Sequence, residues 1–207
     1  LSECHLIVHD PTETKTRDIA TYLKIFKNVT TIRKTVQTTL NQYTQTSLIP
    51  HPYAPTKHQP PQHHATAHSR IDFDKYTHII CEANDNLPDN KQVKIYGAIT
   101  GVYNHVTLKS TNFNNYYQGK WDKSALHPPS HILGQTVVDL SAIKGDGNGT
   151  QYTFLEAIDA NRNLILNDKW FTENNDLREY SETITTAGEL TEKLKQKRKK
   201  RNQALRR

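Results

Sequence analysis

The sequence predicts an α+β fold, in which an antiparallel β-sheet (a meander) follows an N-terminal helix and is covered by a long C-terminal helix. Strand-like apolar runs joined by short turns follow one another between residues 76 and 170, as in an antiparallel sheet. Apolar residues recur at helical spacing within 19–48 and again within 171–207. These two stripes predict the helices that precede and follow the sheet along the sequence.

The N-terminal part divides into three segments. Residues 1–18 are a short strand or hairpin segment, whose apolar run at 4–8 is ended by an Asp-Pro pair. Residues 19–48 are predicted to be helical, because four apolar side chains recur every three or four residues, at Ile32, Val36, Leu40 and Tyr43. Residues 49–75 contain five prolines and five histidines. Because proline disrupts helices and central strands, this segment is predicted to be an insertion or linker.

The predicted sheet occupies residues 76–170. Gly101 and Val102 are read as the connection of a hairpin, and the Gly- and Asn-rich stretch 144–150 as a second turn. The expected strands are 77–83, 93–100, 103–110, 131–143, 151–158 and 162–166.

The C-terminal segment 171–207 is predicted to be one long helix with a basic end. Its apolar stripe consists of Leu177, Tyr180, Ile184, Ala187, Leu190 and Leu194. Beyond the stripe the sequence is strongly basic, since nine lysines and arginines lie within 193–207 while the whole chain has a net charge of +6. The rest of the protein is therefore mildly negative, at −3. Such a segment is expected to bind nucleic acid, a membrane surface or an acidic protein.

Other features limit the functional classes. Apolar residues make up 34 % of the chain, which predicts a modest core. No apolar run is long enough for a membrane span, and the first ten residues do not resemble a signal peptide. Two widely separated cysteines, Cys4 and Cys81, indicate reduced thiols and a cytoplasmic location. The chain contains no methionine, so we expect further residues before Leu1.

Two segments of the sequence carry residues typical of ligand sites. The histidines at 51, 58, 63, 64 and 68 lie in the Pro-rich segment without a nearby Cys or acid, so no metal site is predicted, and no cofactor is expected. The Gly-rich stretch 145–149 lacks the spacing of a dinucleotide-binding loop. As a calcium loop it has Gln151 and Ala157 where glycine and glutamate are required. It is therefore interpreted as a hairpin turn.

Two alternative functions remain open from the residues alone. The basic end could make the chain a nucleic-acid-binding protein, although 181–207 contains no aromatic residue that could stack on bases. The chain could also be a two-histidine phosphoesterase-like enzyme, which needs two His-x-Thr strands. His105 with Thr107 would form one of these, and His64 with Thr66 the other.

Several stretches, taken in order, resemble the α subunit of F-actin capping protein. Asp146-Gly147-Asn148 is similar to a turn of that family, and Pro128-Pro129 with Gly134 to the approach to its preceding strand. Residues 115–121 resemble its Asn-Phe-Trp-Asn-Gly-Arg-Trp segment, and Ile95-Tyr96-Gly97 a Val-Tyr strand. His9-Asp10-Pro11 is similar to its Leu-Asp-Pro, and 203–207 to the end of its long helix.

This resemblance implies a non-enzymatic actin-capping subunit in a dimer that shares one continuous sheet. The implied partners are the barbed end of actin filaments, a β-type subunit or a second copy of the chain, and acidic phosphoinositides, with no nucleic acid expected. The implied location is the cytoplasm, at the actin cytoskeleton. The resemblance assigns actin binding to Arg206 and Arg207, and charge extends this set to Lys195, Lys197, Lys199, Lys200 and Arg201.

Overall fold

The chain is built from two parallel sheets, so the predicted antiparallel meander is wrong. A computed structural model describes residues 4–9, 13–15, 18–49, 53–55, 57–121, 132–142, 150–171 and 176–196. These residues form two compact units. One unit contains a three-stranded sheet and the other a six-stranded sheet. Within each sheet, all of the paired strands are parallel. The architecture is therefore α/β and of the Rossmann type.

The elements alternate between strands and helices along the chain. The strands are β1 (His5–Val8), β2 (Asn28–Thr31), β3 (Thr46–Leu48), β4 (Ala65–His68), β5 (Val93–Tyr96), β6 (Tyr117–Gly119), β7 (Thr136–Asp139), β8 (Asn163–Asn167) and β9 (Ser181–Ile184). The α-helices are α1 (Ile19–Leu23), α2 (Lys34–Leu40), α3 (Thr77–Asp85), α4 (Gly101–Val106), α5 (Phe113–Tyr116), α6 (Tyr152–Asp159) and α7 (Ala187–Lys195).

The three-stranded unit has the strand order β1-β2-β3 and consists mainly of residues before 55. The strand predicted at 4–8 is confirmed as β1. The single helix predicted over 19–48 is wrong, because β2 separates the short helices α1 and α2. The sequence of β2, Asn-Val-Thr-Thr, is rich in β-branched residues, which favour strands. The core of the three-stranded unit contains Val8, Leu23, Val29, Val36 and Leu40.

The six-stranded unit has the order β6-β5-β4-β7-β8-β9. Counted along the chain within this unit, that order is 3-2-1-4-5-6, as in dinucleotide-binding folds. The segment 49–75, predicted to be a linker, thus contains β4, a strand at the centre of the sheet whose four residues are all buried. Its small residues, Ala65, Thr66 and Ala67, give no strong sequence signal for a strand.

Helices cover both faces of this sheet. Ala65 and Ala67 belong to the core that also contains residues of α3 and α7, such as Ile80 and Leu190. His68, the next residue along β4, contacts Glu156 of α6 instead. Because successive side chains of a strand point to opposite faces, α6 lies on the other face from α3 and α7.

Three predicted strands are helices in the structure. Residues 77–83 lie in α3, 103–110 in α4 and the 3₁₀ turn after it, and 151–158 almost entirely in α6. Short apolar runs do not separate a strand from a buried helix, so these runs were misassigned. The strands predicted at 93–100, 131–143 and 162–166 correspond to the shorter β5 and β7 and to β8.

The long C-terminal helix is also wrong within the described residues. The apolar stripe crosses a 3₁₀ turn (Asp176–Tyr180), β9 and the nine-residue helix α7. α7 begins at a capping box, in which the Thr186 hydroxyl accepts from the Glu189 N–H and the Glu189 carboxylate accepts from the Thr186 N–H. Residues 197–207 lie outside the described residues, as do Pro128-Pro129 and residues 144–149 of the turn predicted at 144–150.

A buried asparagine fixes α3 against the sheet. The Asn84 side chain donates to the Val93 carbonyl at 2.9 Å and accepts from the Val93 N–H at 2.8 Å. Asn84 is fully buried, and both polar groups of its amide are thereby satisfied. The start of β5 is held in register with the end of α3 as a result.

Gly97 is required where the turn after β5 passes the turn after β4. Its φ is +147°, and a Cβ at this position would overlap the Ser69 carbonyl oxygen. We expect Gly97→Ala to lower the free energy of unfolding by at least about 2 kcal/mol, because it adds both backbone strain and overlap. Urea unfolding followed by circular dichroism measures this change.

Gly101→Ala is the matched control, since a Cβ at this position would meet no other described residue within 4 Å beyond its chain neighbours and its own helix. Gly101 is the first residue of α4, where alanine favours the helix by up to about 1 kcal/mol. This variant should be as stable as the parent protein or more so. Equal destabilisation by both substitutions would contradict the close approach at Gly97.

The two cysteines should differ in reactivity. Cys81 is completely buried and Cys4 is exposed. Burial raises the pKa of the Cys81 thiol to about 11, with a bond from Thr111 acting in the opposite direction. At pH 8 the folded protein should release one equivalent of thionitrobenzoate from DTNB rapidly, and two in guanidinium chloride. Rapid reaction of two thiols without denaturant would contradict the burial of Cys81.

Candidate functional site

The strand order of the six-stranded sheet places a crevice at one edge of the sheet. Strands β4 and β7 are neighbours, with Ala65 paired to Thr136 and Thr66 to Val137. The chain continues from β4 toward β5 on one side and from β7 toward β8 on the other. In open parallel sheets, ligands bind at such a point, outside the carboxyl ends of the strands. The residues that follow His68 and Asp139 are therefore the first candidates for a site.

The turn after β4 carries an arginine between two aspartates. The Arg70 guanidinium lies 3.1 Å and 3.2 Å from the two carboxylate oxygens of Asp74, and its Nε lies 3.5 Å from Asp72. About half of the Arg70 side chain is exposed. A guanidinium in this position can bind a phosphate through two parallel hydrogen bonds.

Lysine 75 lies in the same turn and reaches the end of β7. Its Nζ is 2.5 Å from the Ser141 hydroxyl and 3.9 Å from a carboxylate oxygen of Asp139. The Ser141 hydroxyl and N–H both donate to that same Asp139 oxygen. Only 10 % of the Lys75 side chain and 1 % of the Asp139 side chain are exposed, so each charge compensates the burial of the other.

Backbone bonds hold the two turns together. The Ala142 N–H donates to the Asp74 carbonyl at 2.9 Å, which joins the segment after β7 to the turn after β4. The Asp72 carboxylate accepts from the Phe73 N–H and from the Thr100 hydroxyl. These bonds fix the backbone that carries Arg70 and Lys75, and leave the Arg70 side chain half exposed.

A buried histidine–glutamate pair lies at the end of β4. His68 Nε2 is 3.3 Å from Glu156 Oε2, and the exposed fractions of the two side chains are 1 % and 6 %. His68 Nδ1 and Asp139 Oδ2 have no hydrogen-bond partner within the described ranges. The pair connects α6 to the central strand beside the crevice.

The histidines of the Pro-rich segment do not form a metal cluster in the described part of the chain, where no group of three or more potential ligands occurs. His58 contacts Asp159 at 2.6 Å, His63 the Tyr96 hydroxyl at 3.1 Å, and His64 the Leu194 carbonyl at 3.0 Å. His51 lies outside the described residues. Each of these three histidines therefore contacts a different partner residue.

A second depression of about 270 Å³ lies beside α3. It is lined by His78, Glu82, Asp85, Thr107, Ser110 and Thr111. Burial lowers the pKa of His78, while the nearby Glu82 carboxylate acts in the opposite direction. The His78 ring also lies 3.0 Å from the Tyr103 hydroxyl. The two carboxylates of this depression lie on the exposed side of α3, and among the described residues no lysine or arginine lines it.

The predicted actin-binding residues are largely beyond the described chain. Lys195 ends α7, where its Nζ is 3.4 Å from Glu192 and its carbonyl accepts from Lys91 at 2.5 Å. The other six, Lys197, Lys199, Lys200, Arg201, Arg206 and Arg207, lie outside the described residues. No observation tests the set as a binding surface. In the described part of the chain, no helix has the length and apolar character needed to cross a membrane, and the cytoplasmic location stays a prediction.

Four residues of this region are not among the predicted site residues: Arg70, Lys75, Asp139 and Glu156. The available signal was positional: Arg70 and Lys75 closely follow the short run Ala-Thr-Ala, and Asp139 follows Thr-Val-Val. Charged residues directly after a buried parallel strand collect at the carboxyl edge of the sheet. Recognising this signal required β4 and β7 to be identified as neighbouring parallel strands.

Comparison with known proteins connects this fold to structures that contain UDP. No protein-family model and no curated protein matches the sequence. A mutant of S. aureus TarM in complex with fondaparinux, α-GlcNAc-glycerol and UDP is similar, with a TM-score of 0.64 and 13 % identity over 93 % of this chain and 43 % of that one. Anabaena HepE in complex with UDP-glucose has a TM-score of 0.57 and 13 % identity, over 93 % of this chain and 61 % of that one. The chain thus spans less than two thirds of the length of either protein.

These findings correct the resemblance to actin capping protein. The similar solved structures share a parallel α/β fold, and those above hold UDP or UDP-glucose. The segment 115–121, matched to the capping family, forms part of α5 and the parallel strand β6. The implied non-enzymatic function, shared-sheet dimer, actin, β-subunit and phosphoinositide partners are therefore wrong.

Neither alternative function is supported. The phosphoesterase needs two neighbouring His-x-Thr strands, but His105 is exposed on the helix α4, and His64 precedes β4. The Thr66 hydroxyl accepts from the Gly134 N–H at 2.9 Å, within the sheet. No similar structure reported above is described as containing nucleic acid.

Removal of Glu156 should destabilise the sheet beside the crevice. Glu156→Ala leaves His68 without this buried partner, so we expect the free energy of unfolding to fall by about 1–3 kcal/mol. Glu156→Gln keeps a hydrogen-bond acceptor at this position, so its free energy of unfolding should fall by less. Urea unfolding monitored by circular dichroism gives both values.

Glu192→Ala is the control, because 69 % of that side chain is exposed. Its effect should stay within about 0.5 kcal/mol. An unchanged urea midpoint for Glu156→Ala would contradict the stabilising role of the His68–Glu156 contact.

Proposed function

We propose that this chain binds a UDP-sugar at the carboxyl edge of β4 and β7 and functions in glycosyl transfer. The observation that carries the proposal is the presence of two cations, Arg70 and Lys75, in the turn after the first strand of the six-stranded sheet, at the point where the strand order reverses. The fold is shared with TarM and HepE, whose structures contain UDP and UDP-glucose.

The chemistry of the two cations suits a diphosphate. Arginine offers a planar pair of N–H groups to phosphate oxygens, and lysine a compact positive charge. Lys75 is almost buried, and the Ser141 hydroxyl orients its ammonium group. Because its surroundings are poor in water, its attraction to an anion is screened less than at an open surface. Arg70, half exposed, supplies the accessible part of the same site.

The same two cations would assist the transfer itself. When a sugar leaves a nucleotide diphosphate, the bond between its anomeric carbon and the distal phosphate oxygen breaks. Negative charge then accumulates on that oxygen. Cations held at the diphosphate stabilise this charge more strongly in the transition state than in the bound donor, which accelerates the reaction. The hydroxyl oxygen of the acceptor would form the new bond to the anomeric carbon, and its proton would pass to the departing nucleotide diphosphate.

The surrounding contacts would keep the site in shape without a ligand. The Ala142–Asp74 backbone bond fixes the distance between the two turns, and Asn84 holds α3 against β5. The His68–Glu156 pair anchors α6 beside them. A preformed site of this kind reduces the ordering that binding requires.

Titration calorimetry with UDP and UDP-glucose tests the proposal. The parent chain should bind both, and Arg70→Ala should weaken binding by about 10- to 100-fold, because a charged hydrogen-bond partner of the diphosphate is lost. The exposed pairs of Arg70 contribute little to stability, so the variant should remain folded.

Lys195→Ala provides a matched control. Lys195 is exposed to nearly the same extent as Arg70 and also pairs with a carboxylate, Glu192, but its backbone carbonyl accepts from Lys91, which precedes β5 at the amino edge of the sheet. Its removal should leave the affinity for UDP within about twofold, as expected for a charge remote from the site. The absence of UDP and UDP-glucose binding at millimolar concentration, or equal losses in both variants, would overturn the proposed function.

A further inference from the structure

Both cations of the proposed site are already paired with carboxylates. Arg70 is bound by Asp74 and approached by Asp72, and Lys75 lies beside Asp139. Counted together, these two cations and three anions carry one net negative charge. A diphosphate, itself an anion, therefore enters a site whose positive charges are compensated, and some of these contacts must change when it binds.

The three aspartates are held to different degrees. Asp139 is buried, and one of its oxygens accepts both the N–H and the hydroxyl of Ser141. The Asp72 carboxylate accepts from the Phe73 N–H and the Thr100 hydroxyl. The side-chain bonds of Asp74 within the described residues go to Arg70 alone. Asp74 is therefore the carboxylate that can leave at the lowest cost.

Asp74 can move without disturbing the backbone. Its carbonyl accepts from the Ala142 N–H, which fixes its main chain to the segment after β7. Its side chain is 17 % exposed and lies four residues after Arg70. Rotation of this side chain would release Nη2 of the Arg70 guanidinium, which contacts both Asp74 carboxylate oxygens, so that it can donate to a phosphate.

We propose that Asp74 is a specificity-determining residue, whose carboxylate occupies the Arg70 guanidinium in the empty protein and is displaced by the diphosphate of the donor. This inference rests on the proposed function. The carboxylate lowers the affinity for every anion that needs Arg70, so that only a ligand with sufficient charge and additional contacts displaces it. Weakly charged anions are thereby excluded from the site.

Asp74→Asn tests the competition, because it preserves the shape of the side chain and removes its charge. We expect UDP to bind about 3- to 10-fold more tightly in calorimetry, since an exposed ion pair no longer competes and a nearby negative charge is lost. In the Arg70→Ala background, the same substitution should improve UDP affinity less than twofold, as the cycle of single and double variants then isolates the pair.

Asp89→Asn is the matched control, because it changes the net charge equally but lies before β5, at the opposite edge of the sheet. It should leave the affinity for UDP unchanged. Asp74→Ala provides a second variant without the carboxylate, and thermal melting confirms that each protein is folded. The gain in UDP affinity should appear in each Asp74 variant whose melting temperature matches that of the parent chain.

Three outcomes overturn the inference, and they can be told apart. UDP binding by the parent chain with no tightening in a folded Asp74 variant would show that Asp74 does not compete, while the proposed function stands. If the gain in UDP affinity persists in the Arg70→Ala background, it comes from the change in charge alone, and this outcome also overturns the inference. Binding of UDP by none of the proteins would remove the proposed function and this inference together.

Discussion

The pairing of β4 with β7 is the constraint on which the six-stranded unit depends. These strands lie at the centre of the sheet, and the connections from them lead to opposite sides. Their carboxyl ends therefore stand side by side, and the connections diverge from them. Only this arrangement brings Lys75 to Ser141 and Asp139, although these residues are more than 60 positions apart in the sequence. The buried character of β4 and β7 follows from the same central position.

The site combines rigid and adjustable parts. Asp139, Ser141 and Lys75 form a buried group whose charges compensate one another, so loss of one member would leave another without compensation. Arg70 and Asp74 form an exposed pair, which contributes little to stability and can separate readily. A ligand that uses both cations would meet the exchangeable charge of Arg70 at the surface and the fixed charge of the nearly buried Lys75 after it. This division lets the site keep its shape while it changes partners.

The sequence predicted some elements and missed the architecture. The apolar runs of β1 and β8 were recognisable, and Leu190 with Leu194 marked the packed face of α7. The parallel direction of strand pairing was not recognisable, because α3 and α6 are short helices whose apolar residues also fit a strand. Two signals favoured helices: the Thr186–Glu189 capping box before α7, and the proline three residues after α3. The site depends on contacts across the sheet, so no local pattern could show that Arg70 and Asp139 lie at one edge.

The close approach at Gly97 has a consequence for how this site can change in evolution. Here the turn after β5 meets the turn after β4 through main-chain atoms, with no room for a side chain at Gly97. The spacing of these two turns is consequently set by peptide groups, whose positions do not depend on neighbouring side chains. Substitutions in residues 70–75 can then alter charge and selectivity while the underlying surface is inherited unchanged. A family built on this fold could diversify its ligands by exchanging a few side chains in one turn.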